Sequence, residues 1–232
     1  MNLEFASWQA LALTFQLAFV TTLVLFVVSL PLAWWLSRSR SRIKPVIEAL
    51  IALPLVLPPT VLGFYLLLAI GANGWLGEIW LATFDHQLAF SFTGLVIGSV
   101  VYSLPFVIQP LQASFGAINT AWIETAATLG AGAWDRFYSV ILPTARNGLL
   151  TAAVLGFAHT LGEFGVVLMI GGNIPGETQV ASIVIYEQVE SLQYAQAHWL
   201  SAVLLGISFL LLLTLFVVNR QHRVRFLGAG DD

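Results

Sequence analysis

Residues 11–36 carry no charged side chain and run longer than the roughly 20 apolar residues that a bilayer core demands. A stretch of that kind crosses a membrane. Trp34 and Trp35 at its end read as an interfacial aromatic pair. Similar runs recur at about 46–70, 92–111, 147–171 and 198–218. The chain is 58% hydrophobic and only 9% charged, whereas charged residues make up about a quarter of a soluble protein. The expectation is an all-α, polytopic membrane helix bundle with five transmembrane helices, forming a single domain over residues 1–232.

The basic residues set the topology. All nine Lys and Arg lie in three clusters: Arg38, Arg40, Arg42 and Lys44; Arg136 and Arg146; Arg220, Arg223 and Arg225. If all three lie inside, as the excess of positive charge in cytoplasmic loops demands, an odd span count follows. The N-terminus is then outside, the C-terminus and the loop 117–146 are cytoplasmic, and residues 172–197 stay on the outer face as a loop and an interfacial or re-entrant helix from about 180 to 192. Six spans is the alternative if the N-terminus begins inside. The N-terminus has no basic n-region and carries Glu4, so the first apolar run reads as a retained span rather than a signal peptide. Cysteine is absent, which excludes a disulfide framework or thiolate metal site.

Pro54, Pro58 and Pro59 crowd the second span. Each removes an amide donor and clashes with the carbonyl four residues back, so the carbonyls of Leu50, Pro54 and Leu55 lose their helical partners and the helix should kink or break in this stretch. Unpaired backbone at membrane depth is tolerated only inside protein or along a wet cavity; pore lining and a packing kink both satisfy that rule. Residues 71–90 read as an outer loop with a turn at Asn73-Gly74 and anchors Trp75 and Trp80. Asp85-His86 alone does not make a metal site, and His86, His159, His198 and His222 are scattered without ligand spacing.

Within 117–146, Ile118, Ala121, Trp122, Thr125, Ala126 and Leu129 recur at helical spacing and give a short amphipathic helix. Asn119 or Thr120 can cap it, and Glu124 is placed in its first turn, where the helix dipole favours an acid. Gly130 and Gly132 interrupt it. A second short helix follows, with Trp134, Phe137, Tyr138 and Ile141 facing the protein's own bundle and Pro143 as its stop. Two small helices at an angle suit docking into a partner's groove; an ordinary amphipathic connector would look the same.

The stretch Glu124-Thr-Ala-Ala-Thr-Leu-Gly130, ending at Val140-Ile-Leu-Pro143, resembles the EAA motif of bacterial ABC importer permeases. Thr125 departs from the usual first alanine but stays small. That resemblance implies a type I ABC importer permease (MetI-like) fold and an ATPase-coupling role for Glu124, Thr125, Ala126, Ala127, Gly130 and Pro143. Leu53-Pro-Leu-Val-Leu-Pro-Pro59, Leu161-Gly-Glu-Phe-Gly165 and Asn173-Ile-Pro-Gly-Glu-Thr178 are similar to the molybdate permease branch of that family, with the sulfate permeases a close rival. Relatives often carry Arg where this chain has Gln179, which weakens any anion-attracting role at that position.

The resemblance implies a homodimer in a bacterial inner membrane. Two ATP-binding subunits would sit at its cytoplasmic face, an oxyanion-binding protein outside, and lipid around it. Nucleic acid is not an expected partner. ATP and Mg would belong to the partner subunit and no cofactor to this chain, whose only lysine, Lys44, lies outside any Gly-x4-Gly-Lys-Ser/Thr loop. Pathway or gate candidates are Pro54, Pro58, Pro59, His159, Glu163 and Gly165. Outer-loop candidates are Asn173, Pro175, Gly176 and Glu177, with a type II turn expected at Ile174-Pro-Gly. Glu163 is an ionisable residue inside a span and therefore a functional hypothesis. It reads as a hydrogen-bonded partner of His159, or as a gate or interface contact beside Gly162 and Gly165; as an anion ligand it would repel the cargo. An ion-coupled secondary transporter would need more charged sites in its spans, and a passive channel would not need the docking stretch.

Overall fold

The computed structural model describes residues 3–227, with side chains described for residues 7–219. Every regular element among them is helical: α1 Leu3–Arg38, α2 Lys44–Val56, α3 Pro59–Ile70, α4 Trp75–Phe84, α5 Phe92–Gly116, α6 Thr120–Thr128, α7 Ala133–Arg136, a π-helical turn Phe137–Ile141, α8 Leu142–Thr144, α9 Arg146–Leu161, α10 Gly165–Gly171, α11 Ala181–Glu190 and α12 Tyr194–Leu227. Three helices are long and apolar enough to cross a membrane in one piece: Ser7–Arg38, Phe92–Gly116 and Tyr194–Asn219. Two bent stretches raise the total to five if each counts as a span: α2 with α3, bent by 117°, and Ala133–Thr144 with α9, bent by 72°. The side chains of Arg220, Arg223 and Arg225, on which the topology argument partly rests, lie outside the described residues.

α5 is the central helix, packed against α1, α9, α10, α2 and α3. Its sequence explains this. Small residues let neighbouring backbones approach closely in a membrane, where apolar side chains gain little by leaving lipid. A Cβ on Gly98 would lie 2.5 Å from the Ile170 side chain of α10, and one on Gly156 of α9 would lie 2.6 Å from Val107 of α5. Ser99 and Ser103 are fully buried on the same helix.

The core is layered along α1. Leu36, Ala33 and Leu25 meet Ile108, Leu111 and Phe115 toward one end. Leu17 meets Leu95, Val167 and Ile183 further along, and Ala10 and Leu11 meet Ala181, Val184 and Leu200. α12 is different: Leu205, Phe209, Leu210, Leu213 and Phe216 are exposed, an apolar surface suited to lipid.

Several local expectations are corrected. The outer segment 71–90 contains a helix, α4, which ends at Asp85 in the left-handed conformation. His86 closes that end: its Nδ1 donates to the Phe84 carbonyl (2.9 Å) and its Nε2 accepts from the Trp80 indole (3.4 Å). Pro54 lies buried inside α2 without ending it, and the break falls at Leu57–Pro58. A single proline costs one hydrogen bond, whereas the Pro58-Pro59 pair removes two consecutive donors and forces the preceding residue into an extended conformation. Leu57 shows this with ψ 138°. The fourth expected span is not one helix either: α9 ends at Leu161 and α10 begins at Gly165.

Candidate functional site

α6 is capped by Asn119, whose side chain accepts from the Ala121 amide at 3.0 Å. Its other end shows why glycine stands six residues after Glu124. The Gly130 amide bonds the Ala127 carbonyl and the Ala131 amide bonds the Ala126 carbonyl, each at 3.0 Å. Those two bonds define a Schellman stop, which needs a left-handed residue at its turn; Gly130 supplies it with φ +91°. The six-residue interval is therefore the length of helix between the acid and the stop.

The apolar residues of α6 and the turn before it divide between bundle and surface. Ile118 is buried, and Ile123 packs on the core. Trp122 (56% exposed) and Leu129 (83% exposed) point outward. Glu124, Thr125 and Ala127 are exposed and Ala126 half-buried. Glu124 lies in the second turn rather than the first, and its side chain makes no hydrogen bond or ion pair among the described residues. The outer surface of α6 thus presents a free carboxylate between two unburied apolar side chains, a composition rare on a surface that meets only water.

The second half of the loop is corrected too. Phe137 and Ile141 pack on the core, but Trp134 and Tyr138 stack on each other with ring centroids 6.2 Å apart and remain 74% and 62% exposed. The reason is the π turn at 137–141, whose wider winding moves the helical faces out of the 3.6-residue register. Pro143 follows it and has no amide to donate. It does not stop the helix: it is exposed within α8, and the chain bends at Ala145 into α9.

Inside the bundle the structure brings two helix breaks together. A Cβ on Gly165 at the start of α10 would lie 2.8 Å from Pro59 Cβ at the start of α3, and one on Gly63 would lie 2.8 Å from Met169 Cβ. Pro59, Gly63, Gly165 and Met169 thus form the crossing of the two half-helices α3 and α10. Pro58 is exposed at the break and Pro59 half-buried.

Glu163 sits in the gap between α9 and α10, only 4% exposed. Neither carboxylate oxygen has a hydrogen-bond partner among the described residues, although Ser99 of α5 is its polar neighbour. The expected pairing with His159 does not form. The His159 ring is stacked on Phe106 (3.8 Å between centroids), its Nδ1 meets Ser103 Oγ at 2.9 Å, and Ser103 Oγ meets Thr160 Oγ1 at 3.1 Å. The unwinding at Gly162–Phe164 takes Glu163 off the helical face that would have carried both residues.

The outer loop is fastened to both neighbours. Glu177 N bonds Ile174 O at 3.1 Å and Gly176 has φ +79°, the geometry of the expected type II turn. Pro175, Gly176 and Glu177 are exposed at its tip. Asn173 and Gln179 both donate to the Glu187 carboxylate, Gln179 at 3.0 Å. From the same helix, Ser182 Oγ donates to the Glu163 carbonyl at 2.6 Å. Tyr186 donates to Glu190 at 2.6 Å, which raises its phenol above the usual value. Periodicity could not have found Ser182 or Glu187, because their partners are 19 and 14 residues away.

The chain belongs to the family of binding-protein-dependent transport system inner membrane components, which matches residues 26–225. It is 55% identical over 211 residues to the molybdenum transport system permease protein ModB of Azotobacter vinelandii, covering 91% of this chain and 93% of that protein. It is 34% identical to the sulfate transport system permease protein CysT of Escherichia coli over 94% of this chain and 79% of the other. Among solved structures, a bacterial ABC transporter importing the acidic polysaccharide alginate superposes with a TM-score of 0.71, at 18% identity, over 93% of this chain and 78% of that one. An amino acid ABC transporter superposes with a TM-score of 0.61, at 21% identity, over 93% and 94%. These two establish the fold, that of ABC importer permeases.

Proposed function

We propose that this chain is the membrane permease subunit of an ABC importer for molybdate, with tungstate carried as well. The observation that carries the cargo is the 55% identity to a molybdenum permease over nearly the whole chain. The complex is a homodimer with two ATP-binding subunits at its cytoplasmic face and an oxyanion-binding protein outside; the N-terminus is external. ATP and Mg belong to the ATP-binding subunits. When these close on ATP, they move α6 of each permease, and the pathway between the two copies turns from inward-facing to outward-facing. Hydrolysis and nucleotide release reset it.

The broken helices support this reading. Half-helix ends at membrane depth occur where backbone is enclosed by protein or lines a path. Glu163 belongs to the gate rather than to the cargo site. Its side chain is only 4% exposed, in the break between α9 and α10, and so presents no open surface to a cargo.

The 34% identity to a sulfate permease favours a second reading, sulfate as cargo. Proteoliposomes holding the permease with its ATP-binding and binding-protein partners decide between them. Accumulation of molybdate that needs internal ATP and survives excess sulfate supports the first reading. Accumulation abolished by equimolar sulfate supports the second, and uptake by the permease alone without ATP removes both.

A further inference from the structure

Arg38 does more than mark the cytoplasmic side. Its Nη2 donates to two carbonyls at once, Phe115 O and Ile118 O, each at 3.1 Å. The guanidinium lies over the Trp34 ring, 5.1 Å from its centroid, and Trp34 in turn meets Phe115 edge-on at 5.5 Å. Phe115 lies in the last turn of α5, where a cation complements the helix dipole, and its carbonyl also accepts from the Ile118 amide at 3.3 Å; Ile118 lies in the turn beyond it. Only Ala117, Ile118 and Asn119 separate that end from α6.

We propose that Arg38 is a positioning residue for coupling: it bolts the end of α1 to the α5–α6 junction, so that a displacement of α6 moves α1 together with α5. The junction alone is three residues of turn, which would let α6 swing without carrying α1. With Arg38 in place, the turn, the end of α5 and the aromatic pair Trp34–Phe115 form one body. A second fastening lies close by: Gln112 of α5 donates to Glu48 of α2 at 2.6 Å, so three helices are tied at this end of the bundle. An arginine suits the position because its planar fork reaches two acceptors while its face stacks on an indole; a lysine ammonium cannot do both.

The inference rests on α6 being the docking helix, and the test separates the two ideas. Molybdate accumulated per ATP hydrolysed is measured in proteoliposomes for the parent complex, Arg38→Lys and Arg38→Ala, with recovery of the ATP-binding subunit recorded for each. The expected result is assembled complexes that still hydrolyse ATP. The transport ratio should fall about tenfold in Arg38→Ala, the scale of a lost charge-assisted hydrogen bond, and less in Arg38→Lys. Unchanged ratios in both variants overturn the bolt and leave α6 as the docking helix. Uptake and hydrolysis falling in proportion, or failure of both variants to assemble, also overturn it, since either marks a purely structural residue. A parent complex without ATP-driven uptake overturns the docking reading, and this inference with it.

Discussion

Gly130→Ala is the substitution with the clearest consequence. The residue has φ +91°, and a Cβ there would meet nothing within 4 Å, so the whole cost is backbone strain. A left-handed conformation costs an L-residue about 1–2 kcal/mol, and +91° lies beyond the left-handed optimum near about +57°, which favours the upper part of that range. At about 1.4 kcal/mol per factor of ten, the population of α6 with an intact Schellman stop falls about tenfold or more. Gly132 is the internal control: it too has open space, but its backbone sits at φ −65°, ψ 168°. There alanine is unstrained and stiffens the unfolded chain, worth about 0.4–1 kcal/mol of stability. The assay is the affinity of the purified permease for its ATP-binding subunit, with ATP-driven molybdate uptake as a second readout. Gly130→Ala should weaken both about tenfold at an unchanged melting temperature of the bundle, and Gly132→Ala should leave both intact. Equal effects of the two substitutions would refute the argument, because only φ distinguishes the sites.

Three further outcomes are expected. Gly63→Val drives a branched side chain into Met169 and the Val166 backbone at the α3–α10 crossing; overpacking of this kind costs about 1–3 kcal/mol, read as a lower melting temperature of the detergent-solubilised protein. Glu163→Gln removes a carboxylate that has no hydrogen-bond partner among the described residues, so the melting temperature should hold or rise; a clear fall would show that the assembled dimer supplies a partner. Gln179→Arg places a guanidinium beside Glu187, which already accepts from Gln179. The resulting pair should add up to about 1 kcal/mol and fade with salt, measured as a salt-dependent gain in melting temperature.

Much of the bundle is legible in the sequence because membrane burial leaves a strong one-dimensional signal. The continuous spans, a short helix at 181–190 and the break at the paired prolines all follow from apolar length and missing amide donors. The break at 162–164 was not read as one. Its signal is Gly162-Glu163-Phe164-Gly165, an acid between two glycines within an apolar run, but the apolar length of 147–171 reads as one span. The division of α6 between bundle and surface is hidden from the sequence for another reason. Periodicity locates an apolar stripe without saying whether the bundle or a partner covers it, and here Ile118 and Ile123 face the bundle while Trp122 and Leu129 are left outside. The π turn at 137–141 could not be foreseen, because a change of winding has no composition of its own. Arg38 was visible only as a charge, since its acceptors, Phe115 and Ile118, are 77 and 80 residues away.

The central claim, that the exposed face of α6 is where the motor docks, can be tested by site-directed crosslinking, since the chain has no cysteine of its own. Single cysteines at Thr125, Leu129 and Gly176 in the assembled complex, treated with a short thiol-to-amine crosslinker, give the direct measurement. Crosslinks to the ATP-binding subunit from positions 125 and 129, with position 176 reaching only the binding protein, are the predicted result. Crosslinks to the ATP-binding subunit from position 176, with none from 125 or 129, would contradict it.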